Sequence, residues 1–194
     1  MDTVSDIFAF VLNHGVVAEE VVFHDGDEPL PGLTEDEAQA ISDIEPHLEK
    51  SWIALLSACR EALWALADGH PSTPSVRHRK QQKGKMFEWD EVRIPLHTGH
   101  KAHCGFALTA WGADQYHLYI WVWVHRDHLK IAEEAVADLG LDIWRNEHGS
   151  FLMTLPTPQQ GERIDALAAS AADHLWSFAR PISDAVHNHI EANS

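Results

Sequence analysis

Residues 117–125 read HLYIWVWVH, and they carry the strongest periodic pattern in the sequence. Side chains alternate between the two sides of a β-strand, so one side here takes leucine, isoleucine and valine, and the other takes histidine, tyrosine and tryptophan. Aromatic and β-branched residues favour strands. Because both sides are largely apolar, the pattern predicts a central strand that is covered on both faces.

Further strands are predicted before and after this segment. Residues 86–96 and 103–111 also alternate, and residues 111–115, WGADQ, are typical of a turn into the strand at 117–125. Residues 141–146 and 150–155 are predicted to pair as a hairpin around Asn-Glu-His-Gly at 146–149. The second half of the chain is therefore predicted to contain an antiparallel sheet.

Two helices are predicted among these strands. Asp127 is a suitable N-cap for the first, which is predicted to end at Gly140. The second spans about 158–179 and has apolar residues at helical spacing. Pro181 is expected to interrupt it, because proline lacks the N–H that a helix interior requires, and a short tail helix is expected afterwards.

The first 70 residues are predicted to be helical. Thr34 and Glu37 form a capping box that opens one helix, and Pro46 suits the first turn of the next. Gly69 is expected to close that second helix. Its apolar stripe is continuous and is formed by Trp52, Leu55, Leu56, Cys59, Leu63 and Leu66.

The order of elements, helices followed by β-β-β-α-β-β-α, predicts an α+β fold with helices packed on an antiparallel sheet. Composition divides the chain into an acidic helical region at 1–70, a basic linker or loop at 71–85, and an α+β sheet region at 86–194. The alternative is a single domain in which residues 71–85 form an ordered loop over the sheet.

The charge of the chain is strongly negative and unevenly distributed. Fourteen Lys and Arg residues against thirty Asp and Glu residues give a formal net charge of −16. Residues 1–70 carry −13 of it, whereas residues 77–101 carry +4. Such a surface repels nucleic acid and attracts cationic partners. Direct nucleic-acid binding is therefore not expected. A plainly soluble surface, or adaptation to a salty cytoplasm, is the alternative explanation of the charge.

The sequence predicts a non-enzymatic binding protein, an inhibitor or antagonist of a cationic protein that handles nucleic acids. Opposite charge would speed the association and make it sensitive to salt. The candidate contacts are the carboxylates of the first region, namely Glu19, Glu20, Asp25, Asp27, Glu28, Glu35, Asp36 and Glu37. No long apolar run or basic leader is present, so a cytoplasmic protein without a membrane span is expected.

The competing hypothesis is a transition-metal site, which would make the chain a metal-binding protein or a metal-dependent hydrolase. Its predicted ligands lie close together in the sequence: His97, His100, His103 and Cys104. Imidazole and thiolate suit zinc, copper and nickel. Residues 125–128 and 187–189 contain histidines that could supply further ligands by proximity. A polar turn rich in histidine is the alternative, because this spacing matches no established zinc motif.

The tryptophan side of residues 117–125 is a third candidate, as a platform on which a flat ligand could stack. Packing inside the core is the favoured interpretation, because exposing so large an apolar patch is costly. Neither a nucleotide-binding glycine loop nor a serine nucleophile elbow occurs in the sequence. No cofactor is predicted other than the transition metal.

Overall fold

The computed structural model describes residues 3–13, 35–68, 77–78, 90–96, 100–109, 115–146 and 149–193, and within them the fold is α+β. The α-helices are α1 (Asp6–Asn13), α2 (Glu35–Ala67), α3 (Leu129–Ala137) and α4 (Ile164–Ala192). A 3-10 helix (Arg126–His128) precedes α3. The strands are β1 (Arg77–His78), β2 (Asp90–Leu96), β3 (His100–Thr109), β4 (His117–Val124), β5 (Trp144–Arg145) and β6 (Ser150–Leu155).

The strands form one antiparallel sheet in the order β1-β2-β3-β4-β6-β5. β4 lies between β3 and β6, as its pattern predicted, and Val122 pairs with Cys104 on one side and with Phe151 on the other. The strand predicted at 103–111 begins earlier, at His100, and ends at Thr109. The strand predicted at 86–96 is described from Asp90 onward.

One face of the sheet is covered by the helices and forms the main hydrophobic core. Leu118, Ile120, Val122 and Val124 are each no more than 2% exposed and belong to this core. The helices α2 and α4 pack against each other and against the sheet above these residues. Burying each aliphatic side chain contributes about 1.5–3 kcal/mol, which fixes the register of β4 because a slip of one residue would move all four out of this core to the opposite face.

The opposite face of the sheet carries a smaller apolar cluster. Tyr119 and Trp121 are buried and pack with Ala107 and Leu152, and Trp123 is half-buried beside them. Among the described residues, the members of this cluster come from the strands themselves. The burial of Tyr119 and Trp121 agrees with packed rings and not with an exposed stacking platform.

Two prolines lie inside continuous helices, so the predicted breaks at these positions are wrong. α2 runs through Pro46 without starting a new helix, and α4 runs through Pro181 to its end at Ala192. Each proline removes one backbone donor, but the bonds on either side and the tertiary packing remain. Ile182 and Val186, beyond Pro181, are fully buried and hold the end of α4 in the core.

The segment after β4 also differs from its prediction. Asp127 does not cap α3, because the chain first forms the 3-10 helix, whose N-cap is His125. The Nδ1 atom of His125 lies 3.4 Å from the backbone nitrogen of Asp127 and 3.2 Å from its carboxylate. The residue that precedes α3 is His128, and its side chain makes no capping hydrogen bond. Gly140 follows α3 with a φ of +65°, close to its predicted place at the helix end.

The predicted hairpin is confirmed, although its first strand is only two residues long. β5 pairs with β6 through Arg145 and Phe151. Asn146 closes the turn, since its side-chain oxygen accepts from the backbone N–H of Ser150 at 2.9 Å. The predicted helix at 158–179 begins later, at Ile164.

The N-terminal segment is joined to the far end of the described chain. The N–H of Val4 donates to the carbonyl of Glu162 at 2.8 Å, and the N–H of Gly161 donates to the carbonyl of Val4 at 2.9 Å. Phe8 contacts Trp52 edge-on, with ring centroids 5.4 Å apart, and both belong to the main core. Residues of α1 and α2 therefore share one core with the sheet.

Most of the predicted linker at 71–85 lies outside the described residues. Its two described members, Arg77 and His78, form β1 and pair with Arg93 and Val92 of β2. A search of the helices in the described ranges finds none with the length and apolar character needed to cross a membrane.

Candidate functional site

The positive charges on the described surface are almost all paired with carboxylates. Every Lys or Arg whose side chain is described, apart from the exposed Lys50, lies in an ion pair. The pairs are Arg60–Glu61 at 3.8 Å, Arg126–Asp127 at 3.7 Å, Lys130–Glu134 at 3.9 Å, Arg145–Glu133, Arg163–Asp165 at 2.5 Å and Arg180–Asp184 at 3.6 Å. Exposed pairs of this kind contribute only about 0–1 kcal/mol each to stability, but they neutralise the local positive charge.

Several exposed carboxylates have no such partner. Asp6, Asp68, Asp138, Asp142 and Asp173 are exposed, and within the described part of the chain none of them lies in an ion pair. They occur on α1, at the end of α2, after α3 and on α4. The uncompensated negative charge is therefore spread over several helices and is not confined to one loop.

One carboxylate is held in its ionised form by an arginine. Arg163 donates from Nε to Asp165 Oδ1 at 3.0 Å and from a terminal nitrogen to Oδ2 at 2.5 Å. This hydrogen bonding lowers the pKa of Asp165 below its ordinary value and raises the pKa of Arg163. Asp165 lies in the first turn of α4, where the helix dipole also favours a negative charge.

The predicted partner-binding carboxylates are only partly within the described residues. Glu35, Asp36 and Glu37 form the first turn of α2, and their side chains are not among those described. The remaining members lie outside the described residues: Glu19, Glu20, Asp25, Asp27 and Glu28. Their role in binding stays a prediction.

The predicted metal ligands differ in their placement. His97 lies outside the described residues, and His100 and His103 lie in β3, where their backbones pair with Leu96 and Trp123. Cys104 is fully buried in the main core. Because neighbouring strand residues lie on opposite faces, Cys104 and residue 103 are separated by the sheet.

A metal role for the predicted ligands therefore stays a prediction, with Cys104 the least accessible member. Across the ranges described above, no group of three or more His, Cys, Asp and Glu residues is arranged so that it could hold a metal ion as placed.

A different group of histidines is brought together by the fold. His125 is the N-cap of the 3-10 helix and His128 is its last residue, and their ring centroids are 6.5 Å apart. His189, in the last turn of α4, lies with its ring centroid 6.2 Å from that of His128. We call these three residues the imidazole group. The two sequence segments that supply it are more than 60 positions apart, so only the packing of α4 against the start of α3 shows that they meet.

The imidazole group combines a buried member with two accessible ones. His128 is 6% exposed, whereas the side chain of His125 is 43% exposed and His189 lies on the surface. Asp127 contacts His125, and Arg126 contacts the same carboxylate. The group therefore brings three imidazole rings together, one of them in contact with a carboxylate.

Comparison with known proteins gives no relative for this chain. No protein family, no curated protein and no solved structure matches it.

Proposed function

We propose that this chain is a non-enzymatic binding protein whose acidic surface binds a cationic protein. The partner is a protein that handles nucleic acids, and the chain acts as its inhibitor or antagonist. The observation that carries the proposal is the net charge of −16, together with the pairing of nearly all described basic side chains.

The ion pairs matter because they determine the electrostatic repulsion or attraction that a cationic partner meets at close range. A basic side chain that already contacts a carboxylate adds little repulsion toward an incoming lysine or arginine. In the first region, the exposed carboxylates without ion-pair partners among the described residues, Asp6 and Asp68, remain available to attract that partner. Complementary charge accelerates association and discriminates against partners of the same sign.

A nucleic-acid-handling protein fits this chemistry better than other cationic partners. Its groove presents several lysine and arginine side chains that bind phosphates. A carboxylate-rich surface offers the same sign of charge as the nucleic acid, so it would compete for that groove. Nucleic acid itself would be repelled.

The test is affinity capture followed by inhibition. The full chain is immobilised, a low-salt lysate is applied, and bound proteins are eluted with a KCl gradient and identified by mass spectrometry. We expect basic nucleic-acid-handling proteins to elute between about 0.1 and 0.5 M KCl, where exposed charges become screened. Each purified candidate should then lose its nucleic-acid activity on addition of an equimolar amount of the chain.

Two charge-reversal variants locate the contact. Glu35→Lys combined with Glu37→Lys changes the predicted surface at the start of α2, and Asp138→Lys combined with Asp142→Lys changes the charge by the same amount elsewhere. We expect the first variant to weaken capture more than the second. Retention that ignores salt, or the absence of basic proteins from the eluate, would contradict the proposal.

The second candidate function is the metal-binding or metal-dependent hydrolytic role of His97, His100 and His103. One observation supports it in part: residue 103 pairs with Trp123, so its backbone lies one diagonal step from that of His125, although positions 100 and 103 fall on alternate faces of β3. Elemental analysis of untagged protein purified without chelator tests this candidate. We expect near-stoichiometric metal that His100→Ala removes, whereas metal-free protein that ignores added zinc would exclude it.

A further inference from the structure

The helix α1 has one side in the core and the other in solvent. Phe8 and Leu12 are fully buried members of the main core. On the opposite side, Ile7 is 46% exposed and Phe10 is 62% exposed. Asp6, which is also exposed, lies four residues before Phe10, and residues three or four apart are neighbours on a helix surface. We call Asp6, Ile7 and Phe10 the outer face of α1.

The exposure of Phe10 is the highest among the large hydrophobic side chains of the described ranges. The other exposed members of this class, apart from Ile7, are Leu66, Leu141 and Trp144. They lie on α2, after α3 and on β5. Among the described elements, only α1 therefore carries two of them. Aromatic side chains are enriched at the centres of protein interfaces, which makes Phe10 a candidate contact.

Hydrogen bonds at both ends hold α1 in this orientation. The Oγ atom of Ser5 accepts from the backbone N–H of Phe8 at 3.2 Å. The side-chain nitrogen of Asn13 donates to the carbonyl of Ala9 at 2.7 Å. A rotation that turned Phe10 inward would also take Phe8 out of the core. The outer face is therefore ordered before a partner arrives, and an ordered surface loses little conformational entropy on binding.

The charge around the outer face indicates which kind of partner fits it. Asp6 lies in no ion pair within the described part of the chain. The first Lys or Arg in the sequence is Lys50, and residues 1–70 carry a formal charge of −13. A second copy of the chain would bring like charges together, whereas a cationic protein would be attracted.

We propose that the outer face of α1 is the docking surface for the cationic protein partner. This inference rests on the proposed function and names the place of its apolar contact. The partner presents an apolar pocket that receives the ring of Phe10, with lysine or arginine side chains on the rim near Asp6. An apolar centre with a charged rim is the usual anatomy of such contacts.

The outer face and the acidic surface around it have different effects on binding. A stable interface buries about 800 Å² on each partner, so two apolar side chains supply only its anchor. The surrounding carboxylates attract the partner, which sets the association rate and its dependence on salt. The anchor resists separation, which sets the dissociation rate. The two contributions can therefore be measured separately.

The test uses the basic protein identified by low-salt capture, purified and immobilised for biolayer interferometry. Association and dissociation rates of the full chain are measured at about 0.1 and 0.3 M KCl, where screening differs. The variants are Phe10→Glu, Ile7→Ser and Asp6→Asn. Leu141→Glu is the matched control, because it adds the same charge at another exposed apolar position, outside the acidic region.

We expect Phe10→Glu to dissociate at least about tenfold faster than the wild type, as the loss of an anchor requires. Attraction by charge alone predicts the opposite, since this variant adds a negative charge that faces a cationic partner. Ile7→Ser should also dissociate faster. Asp6→Asn should slow association and reduce its salt dependence while leaving dissociation unchanged. Leu141→Glu should dissociate at the wild-type rate.

Three outcomes would overturn this inference. They are a wild-type dissociation rate for Phe10→Glu, an equal effect of Leu141→Glu, or a wild-type dimer that Phe10→Glu separates into monomers, which would make the face a contact between copies. Melting temperatures show whether each variant is folded, and Ile7→Ser decides the matter if Phe10→Glu is not. A lysate without a basic partner overturns the proposed function as well, whereas a captured partner that is indifferent to both variants overturns this inference alone.

Discussion

Replacing Pro181 by alanine should stabilise the protein. Pro181 lies within α4, and its ring nitrogen has no hydrogen to donate to the carbonyl of Ser177, four residues earlier. The helix nevertheless continues for eleven residues beyond it, to Ala192. Alanine would restore the missing hydrogen bond and remove the close approach of the ring to the preceding turn.

The size of the effect follows from two opposing terms. In a helix interior, proline is about 3 kcal/mol less favourable than alanine. Alanine also leaves the unfolded chain freer, which offsets about 0.4–1 kcal/mol of that gain. The net stabilisation is about 2 kcal/mol, or about thirtyfold in the folding equilibrium. For a chain of this size the melting temperature should rise by about 4–8 °C.

Urea denaturation followed by circular dichroism measures this difference directly. Ala169→Gly, at an exposed position of the same helix, calibrates the assay and should cost about 1 kcal/mol. Suppose that Ala169→Gly lowers the free energy of unfolding as expected but Pro181→Ala leaves it unchanged or lowers it. That result would contradict the predicted stabilisation. The proline ring would then contribute more to the packing of α4 than its missing hydrogen bond removes.

Three further predictions concern the turns, the helix start and the core. Gly149→Ala should cost more than Gly161→Ala in urea denaturation, because both glycines have a φ near +80° but only at Gly149 would the new Cβ meet a side chain, at 3.3 Å; equal costs would contradict the packing argument. Asp165→Asn should lower stability at pH 7, and because the pKa of Asp165 is lowered in the folded protein the difference should shrink as the pH falls below about 4. A difference that persists at pH 2.5 would contradict this. A thiol reagent should label Cys104 only as fast as the protein opens, since this thiol is fully buried, and immediate labelling of the native protein would contradict that placement.

The sequence predicts the sheet well because its pattern is local. Alternation in residues 117–125 is enough to identify β4 and its two faces, and the turn residues at 146–149 are enough to identify the hairpin. The helix breaks at Pro46 and Pro181 were wrong for the opposite reason. Proline destabilises a helix locally. Whether it ends the helix depends on tertiary packing, which cannot be read from the neighbouring residues.

The candidate site shows the same limit. The histidines at 97, 100 and 103 are close in the sequence, whereas His128 and His189 are close only because α4 packs against α3. Cys104 is adjacent to His103 in the sequence, yet it lies in the helix-covered core. The sequence therefore shows which side chains could act as ligands. The packing of the helices and the register of the strands determine which of these side chains lie close together.

The hydrogen bonds that join Val4 to Gly161 and Glu162 have a consequence for synthesis on the ribosome. Val4 meets these hydrogen-bond partners only after about 150 further residues have been made, although Phe8 can contact Trp52 much earlier. At about 5–20 residues per second, that takes roughly 8–30 s. During this interval Phe8 and Leu12, both fully buried in the finished protein, have no completed core to enter. The core around these two side chains is therefore completed only once the residues of α4 that share it have been made.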